Sequence, residues 1–158
     1  MSRRATFHFN YTFAKAIDET TDFNSDFAPA DQTNLAGERG LSTFDQRHKV
    51  VIYGVFQSPV SGPLRNFVLT PIFRANSARP FNLLVGAELN QDRHSTTDRP
   101  VFAGRHTGIG PSFYTFDLRV GRKFALTEKA SLELMAEGFN LANHLNPASV
   151  NNTVGNME

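Results

Sequence analysis

Apolar and polar residues alternate with a period of two in several stretches of this chain. From Ala5 to Phe13 the odd positions hold Ala5, Phe7, Phe9, Tyr11 and Phe13, while the even positions hold Thr6, His8, Asn10 and Thr12. That is the pattern of a β-strand with one apolar face. It returns in residues 113–124, where Tyr114, Phe116, Leu118, Val120 and Phe124 oppose Thr115, Asp117, Arg119, Gly121 and Lys123. In residues 130–141, Leu132, Leu134 and Ala136 alternate with Ser131, Glu133, Met135 and Glu137. Two further segments carry weaker versions. Residues 47–57 are apolar on both faces in their middle, so the sequence leaves their register open. Residues 66–76 set Phe67, Leu69, Phe73 and Ala75 against Thr70, Arg74 and Asn76, with Pro71, which cannot donate a ladder hydrogen bond, in between.

Five strands therefore follow, at about residues 4–14, 47–57, 66–76, 113–124 and 130–141. Their connections are unequal. Residues 15–46 and 82–112, rich in Asp, Asn, Thr and Gly, read as long polar loops, the first with a helical turn near its start. Ser58 to Arg65 and Ala125 to Lys129 read as short turns, and residues 142–158 as a polar, Asn-rich tail. The strands, at about 10 to 12 residues, exceed the 5 to 6 usual in soluble sheets and suit the 9 to 11 that a tilted membrane strand needs. Outer-membrane barrels join such strands by short periplasmic turns and long external loops. The expected fold is all-β: an antiparallel up-and-down meander of five long strands, part of a larger transmembrane β-barrel, with two long polar external loops. Asp117, Arg119, Lys123, Glu133 and Glu137, which share one face of the last hairpin, are expected to face the lumen, where cross-strand pairing could compensate them. Phe7, Phe9, Tyr11, Phe13, Tyr114, Phe116, Leu118, Val120, Leu132 and Leu134 are expected to face lipid, with Tyr11, Tyr53 and Tyr114 as interfacial candidates. The same alternation would serve a small soluble all-β binding or adhesin-like module with the aromatic face as its core. Strand length and loop asymmetry favour the barrel.

Composition fits this picture. The 158 residues are 40% hydrophobic, with fifteen Phe and no Trp, and their mean hydropathy is mildly polar at -0.33. No stretch approaches the roughly 18 to 20 apolar residues of a membrane helix, and none near the N-terminus forms the h-region of a signal peptide. A net charge of +1 gives no reason to expect nucleic acid as a partner. The absence of cysteine excludes disulfides, thiolate zinc sites and a cysteine nucleophile. Asp18, Asp22 and Asp26, and Asn90, Asp92 and Asp98, are oxygen donors in the two loops, but neither set has the order of a calcium loop, and both read as solvated carboxylates and amides. His8, His94 and His106 show no zinc-ligand spacing. Gly104 to Gly110 lacks the Lys-Ser/Thr of a phosphate loop and reads as a flexible turn. No G-x-S-x-G elbow frames a nucleophile, and Glu133 with Glu137 reads as a pair of lumen charges. No metal, cofactor or catalytic activity is expected.

Several segments, in order, carry a family resemblance: Tyr11 to Asp18, Leu35 to Ser42 running into Phe44 to Val51, Ser77 to Phe81, Asp98 to Pro100, Phe116 to Phe124, and Glu137 to Asn143. Together they resemble the C-terminal barrel region of TonB-dependent outer-membrane transporters, in particular the Oar-like, carboxypeptidase-regulatory-domain-containing group. The resemblance implies a barrel of about 22 strands around an N-terminal plug, located in the cell outer membrane and importing a scarce ligand with energy delivered through TonB. Signal peptide, plug and the final aromatic-ended strand are not read in this chain. The expectation is a fragment that does not transport alone. Its partners would be outer-membrane lipid and the remainder of the barrel and plug, with TonB engaged through the missing N-terminal region.

Overall fold

The structure, a computed structural model, describes residues 4–19, 29–31, 33–58, 61–91, 93 and 97–154. In chain order its strands are β1 (Ala5–Phe13), β2 (Ile17–Asp18), β3 (Gly40–Leu41), β4 (His48–Gln57), β5 (Phe67–Asn76), β6 (Pro80–Phe81), β7 (Gly108–Ile109), β8 (Phe113–Ala125) and β9 (Ser131–Gly138). A 3-10 turn at Leu35–Glu38 is the helical element among the described residues. It lies late in the first long connection and not near its start, because Ala14 to Ile17 is extended by pairing: the Ala14 N–H reaches the Arg47 carbonyl at 3.1 Å and Ile17 pairs with Leu41. The chain forms two compact units, residues 1–12, 49–76 and 113–146 in one, and 13–48, 77–112 and 147–158 in the other.

The first unit is built on a five-stranded sheet in the order β1-β4-β5-β8-β9. Each long strand hydrogen-bonds to the next long strand in sequence, so the sheet is an antiparallel meander. Partner strands settle the register of β4 that its own residues leave open. Val50 lies opposite Ala75 and Ile52 opposite Phe73, whereas Val51 meets Arg74 and Tyr53 meets Ile72. Along β5 the ladder to β8 is continuous from Phe67↔Arg122 to Asn76↔Phe113. The ladder to β4 is interrupted between Tyr53↔Ile72 and Phe56↔Leu69, and Pro71 lies in that gap. A proline is thus held inside a sheet at the cost of the one bond its missing N–H would have made. Beside it, Gly54 makes room for an aromatic ring, since a Cβ there would sit 2.9 Å from Phe56 Cε2.

The short connections are tied by side chains. Ser58 Oγ accepts from the Phe67 N–H at 2.9 Å while the Ser58 N–H donates to the Phe67 carbonyl at 2.9 Å, and Thr127 Oγ1 accepts from the Ala130 N–H at 3.0 Å. Strand β9 ends at Gly138, earlier than its alternation suggests. Asn140 adopts φ 48°, and the Leu141 N–H bonds the Phe116 carbonyl at 2.7 Å, one residue out of step with Gly138↔Leu118. This is the signature of a β-bulge. Beyond it the Asn146 side chain takes the place of a strand backbone, accepting from the Tyr114 N–H at 3.1 Å and donating to its carbonyl at 2.9 Å.

The second unit contains what the sequence presents as unstructured loop. β2 pairs with β3 (Ile17↔Leu41, Asp18↔Gly40), and β6 pairs with β7 (Pro80↔Ile109, Phe81↔Gly108). The glycine-rich segment is therefore partly strand and not a flexible turn. A Cβ on Gly108 would lie 2.6 Å from Phe81 Cε2, so glycine is what lets the Phe81 ring lie across its partner strand. The tail joins through a parallel bridge, Leu84↔Thr153, with Leu84 N–H to Asn152 carbonyl at 2.9 Å.

Among the described residues no hydrophobic side chain is buried. Apart from Pro80 and Pro100, the buried side chains are polar: Glu38, Ser42, Asp45, Asp98, Arg105, His106 and Asp117.

Candidate functional site

Strand pairing sorts the side chains of the sheet into two faces. Phe67, Leu69, Phe73 and Ala75 of β5 lie opposite Arg122, Val120, Phe116 and Tyr114 of β8, and Phe124 and Val120 lie opposite Leu132 and Ala136 of β9. On the other side of β4, its stacking partner fixes β1: the His8 ring lies on Tyr53 at 4.6 Å and 11°, on the face that Tyr53 shares with Ile72. Phe7, Phe9, Tyr11 and Phe13 therefore point the other way, with Val50, Ile52 and Phe56. All ten residues of the aromatic and aliphatic set, Phe7, Phe9, Tyr11, Phe13, Tyr114, Phe116, Leu118, Val120, Leu132 and Leu134, share this second face, and none of them is buried. Tyr53, grouped by sequence with Tyr11 and Tyr114, stands on the opposite face because β4 carries apolar residues on both sides. Removing one Phe or Leu side chain from water is worth about 1.5–3 kcal/mol, against a net stability of about 5–15 kcal/mol for a whole domain. An uncovered face of this size has to meet an apolar medium.

The opposite face carries the charges. Arg119 lies opposite Glu137 and Lys123 opposite Glu133, and the Arg119 Nε to Glu137 Oε1 distance is 3.4 Å. Arg119 also contacts the Met135 sulfur. Asp117 is buried on the same face and used twice, by Arg74 Nη2 at 3.0 Å and by the Asn140 N–H at 2.8 Å. Thr70, Ile72, Arg74, Asp117, Arg119 and Glu137 line a shallow concavity of about 170 Å³. Half-exposed pairs such as Arg119 with Glu137 contribute about 0–1 kcal/mol, so this ladder matters less for stability than for keeping one face wet.

Within the second unit a different set of charges forms a polar interior. Glu38, 2% exposed, takes two hydrogen bonds from the Arg99 guanidinium, at 2.9 and 2.7 Å, and a third from the Ala30 N–H at 3.0 Å. Arg105 contacts the Asp18 carboxylate and donates to the backbone carbonyls of Asp18 at 2.7 Å and Glu38 at 3.1 Å. His106 is held by Asn82 Oδ1 on its N–H at 2.7 Å and by the Leu41 carbonyl at Nδ1. Asp98 accepts from the Leu89 N–H at 2.6 Å, and Asn90 donates to the Ala30 carbonyl at 2.7 Å. Asp18, Asn90 and Asp98, read from sequence as solvated loop donors, are thus structural partners here. Asp22, Asp26, Asp92 and His94 lie outside the described residues. Among the described residues no cluster of three His, Asp or Glu side chains has metal-binding geometry.

These buried groups couple the second unit to pH. Burial raises the Glu38 pKa, but the Arg99 and Ala30 hydrogen bonds and the charges of Arg99 and Arg105 outweigh it and hold the carboxyl below its ordinary 4.5. Burial pushes His106 below its ordinary 6.5, opposed by the Leu41 carbonyl and assisted by the Arg105 charge. Both groups bind protons more readily unfolded than folded, so the stability they contribute is complete above their unfolded values and falls as pH drops through the folded ones. Hydrogen-exchange protection of residues 33–48 and 97–109, corrected for intrinsic rates, is expected to weaken below about pH 6.5 and again below about pH 4.5. Protection that rises on acidification would contradict these assignments.

A long, coreless meander with one apolar and one charged face is the wall of a membrane barrel, and the comparison with known families agrees. The family described as outer membrane beta barrel domain matches residues 1–109 and 102–158. The chain belongs to this family. No curated protein and no solved structure matches it. As an outer membrane beta barrel domain, the chain is a barrel-wall segment located in the outer membrane. The soluble alternative required the aromatic face to be a core, and no such core exists among the described residues.

Proposed function

We propose that this barrel segment is part of a TonB-dependent, Oar-like receptor that imports a ligand across the outer membrane. The apolar face of the sheet meets lipid, the face with Asp117, Arg119, Lys123, Glu133 and Glu137 lines the lumen, and the wall itself has no catalytic role. The remaining strands and a plug close and fill the barrel, because an open sheet would leave unsatisfied edges at β1 and β9 in lipid. TonB acts through the plug-bearing region. The observation that carries the reading is the asymmetry of the meander: its two long connections, residues 14–47 and 77–112, leave the sheet at one end, and its two short connections, residues 58–66 and 126–130, leave it at the other. Support also comes from the family-like segments, since Glu38, Asp45, Asp98 and Arg99, all within them, are tied together or to backbone in that unit. Such a unit suits a ligand-facing external platform. The test uses the complete gene product in cells. A membrane-impermeant maleimide is expected to label Leu89→Cys but not Leu126→Cys in intact cells, and the purified periplasmic domain of TonB is expected to retain the detergent-solubilised protein. Reversed labelling would overturn the orientation, and failure of TonB to retain the protein would overturn the TonB-dependent assignment.

A further inference from the structure

One cation stands on the wrong face. Arg122 lies opposite Phe67 of β5 and Leu134 of β9, in the row of the sheet otherwise occupied by aromatic and aliphatic side chains. Its guanidinium carbon sits 4.8 Å from the centre of the Phe67 ring and 4.9 Å from that of Phe124. Nη2 lies 3.5 Å from the Pro63 carbonyl, the outer limit of a hydrogen bond. No carboxylate lies within ion-pair distance of it among the described residues, although Arg74, Arg99, Arg105 and Arg119 all have one. Its level is also defined: Phe67 is the first residue of β5, and Arg122 comes three residues before the end of β8, so it belongs to the rim beside the short turns. Together with Arg122 itself, Phe67, Val120, Phe124, Leu134 and Ala136 line a largely apolar groove of about 280 Å³.

We propose that Arg122 is a binding site for the headgroup phosphate of an anionic phospholipid, with an acyl chain of the same lipid lying in the groove. The idea rests on the reading of this face as lipid-facing. An arginine with no carboxylate partner here is costly at the membrane centre but finds a phosphate layer at the rim, and its planar fork matches phosphate oxygens better than an ammonium would. The two rings hold the guanidinium by cation–π contact and leave N–H groups free to donate. The groove explains why a lipid, and not free phosphate, is the occupant: it offers the acyl chain a slot continuous with the charge.

Native mass spectrometry of the detergent-purified protein titrated with dioleoylphosphatidylglycerol tests this. Wild type is expected to bind one lipid more tightly than Arg122→Ala by about fivefold, the scale of one basic side chain at a membrane surface, with Arg122→Lys intermediate. Dioleoylglycerol, which lacks the phosphate, and inorganic phosphate, which lacks the chains, are expected to show no difference between wild type and Arg122→Ala. Equal phosphatidylglycerol binding by wild type and Arg122→Ala overturns the site, as does an equal loss with dioleoylglycerol. A second measurement separates this from failure of the lipid-face reading. Tryptophan placed by Phe9→Trp, in a chain that has none, is expected to be quenched by brominated phosphatidylcholine. Quenching with unchanged lipid binding rejects Arg122 alone, whereas absence of quenching rejects the lipid-facing assignment beneath it.

Discussion

Phe9→Arg is expected to destabilise the folded barrel in lipid by about 2–4 kcal/mol, and Asn10→Arg, one residue away, by less than about 1 kcal/mol. Phe9 is the middle residue of β1, and its side chain projects from the apolar face. An arginine there meets hydrocarbon near the midplane, too far from either rim for its three-carbon stem to carry the charge to water at no cost. Asn10 points to the face of His8 and Tyr53, the face proposed to line the lumen. Because the two positions are adjacent in one strand, at nearly the same depth, the comparison chiefly reads the face that each side chain meets. Urea-driven unfolding in phosphatidylcholine vesicles, read by the shift in gel mobility of the folded barrel, gives both numbers. Equal costs at the two positions would mean that both faces of β1 meet the same medium, and the lipid and lumen assignments would fail together.

The strands were legible because a barrel wall separates two solvents. Most side chains of β1, β8 and β9 follow that division, so the alternation of Phe7, Phe9, Tyr11 and Phe13 with His8 and Asn10 survives in the sequence unblurred. β4 shows where that signal fails. Val50, Val51, Ile52, Tyr53 and Val55 are apolar on both faces, and what decides between them is Arg74 on β5, which occupies the polar row beside Val51. Register there is a property of the partner strand. Arg122 failed to register for the opposite reason: its strand reads so clearly that one cation on the apolar face looks like noise, and its two rings become visible only when β5 is laid beside β8.

The knitted second unit was barely legible. Glu38 and Arg99 are 61 positions apart, and Arg105 and Asp18 87. No periodicity links them, and polar, Gly-containing segments are the ordinary composition of loops. The one signal available was that Glu38, Asp45, Asp98 and Arg99 fall inside segments that resemble a family while having no apolar pattern to account for it. Charged residues in a loop of no evident periodicity are candidates for buried polar contacts, and here Glu38 pairs with Arg99 while Asp45 and Asp98 hold the backbone N–H groups of Ala16 and Leu89.

That network makes the strongest prediction for the second unit. Arg105→Ala is expected to cost about 3–5 kcal/mol of local stability, the scale seen when one partner of a buried ion pair is removed. Arg105 is 5% exposed, and its loss would strip the Asp18 carboxylate and the carbonyls of Asp18 and Glu38 of a shared donor at once. Glu38→Gln is expected to cost less than Arg105→Ala but to destabilise in the same direction, because the amide oxygen can still accept from the Ala30 N–H and one Arg99 N–H, whereas the amide nitrogen meets the other Arg99 donor and the charge that Arg99 and Arg105 favour is gone. The readout is the rate of cleavage by trypsin and thermolysin within residues 33–48 and 77–109 of the folded protein. A loss of about 4 kcal/mol raises the open population roughly a thousandfold, enough to turn protected segments into cleaved ones, whereas Glu38→Gln should raise cleavage by a much smaller factor. If both variants are cleaved at the wild-type rate, the buried charges do not hold the unit together, and its short strand pairs β2–β3 and β6–β7 must do so alone.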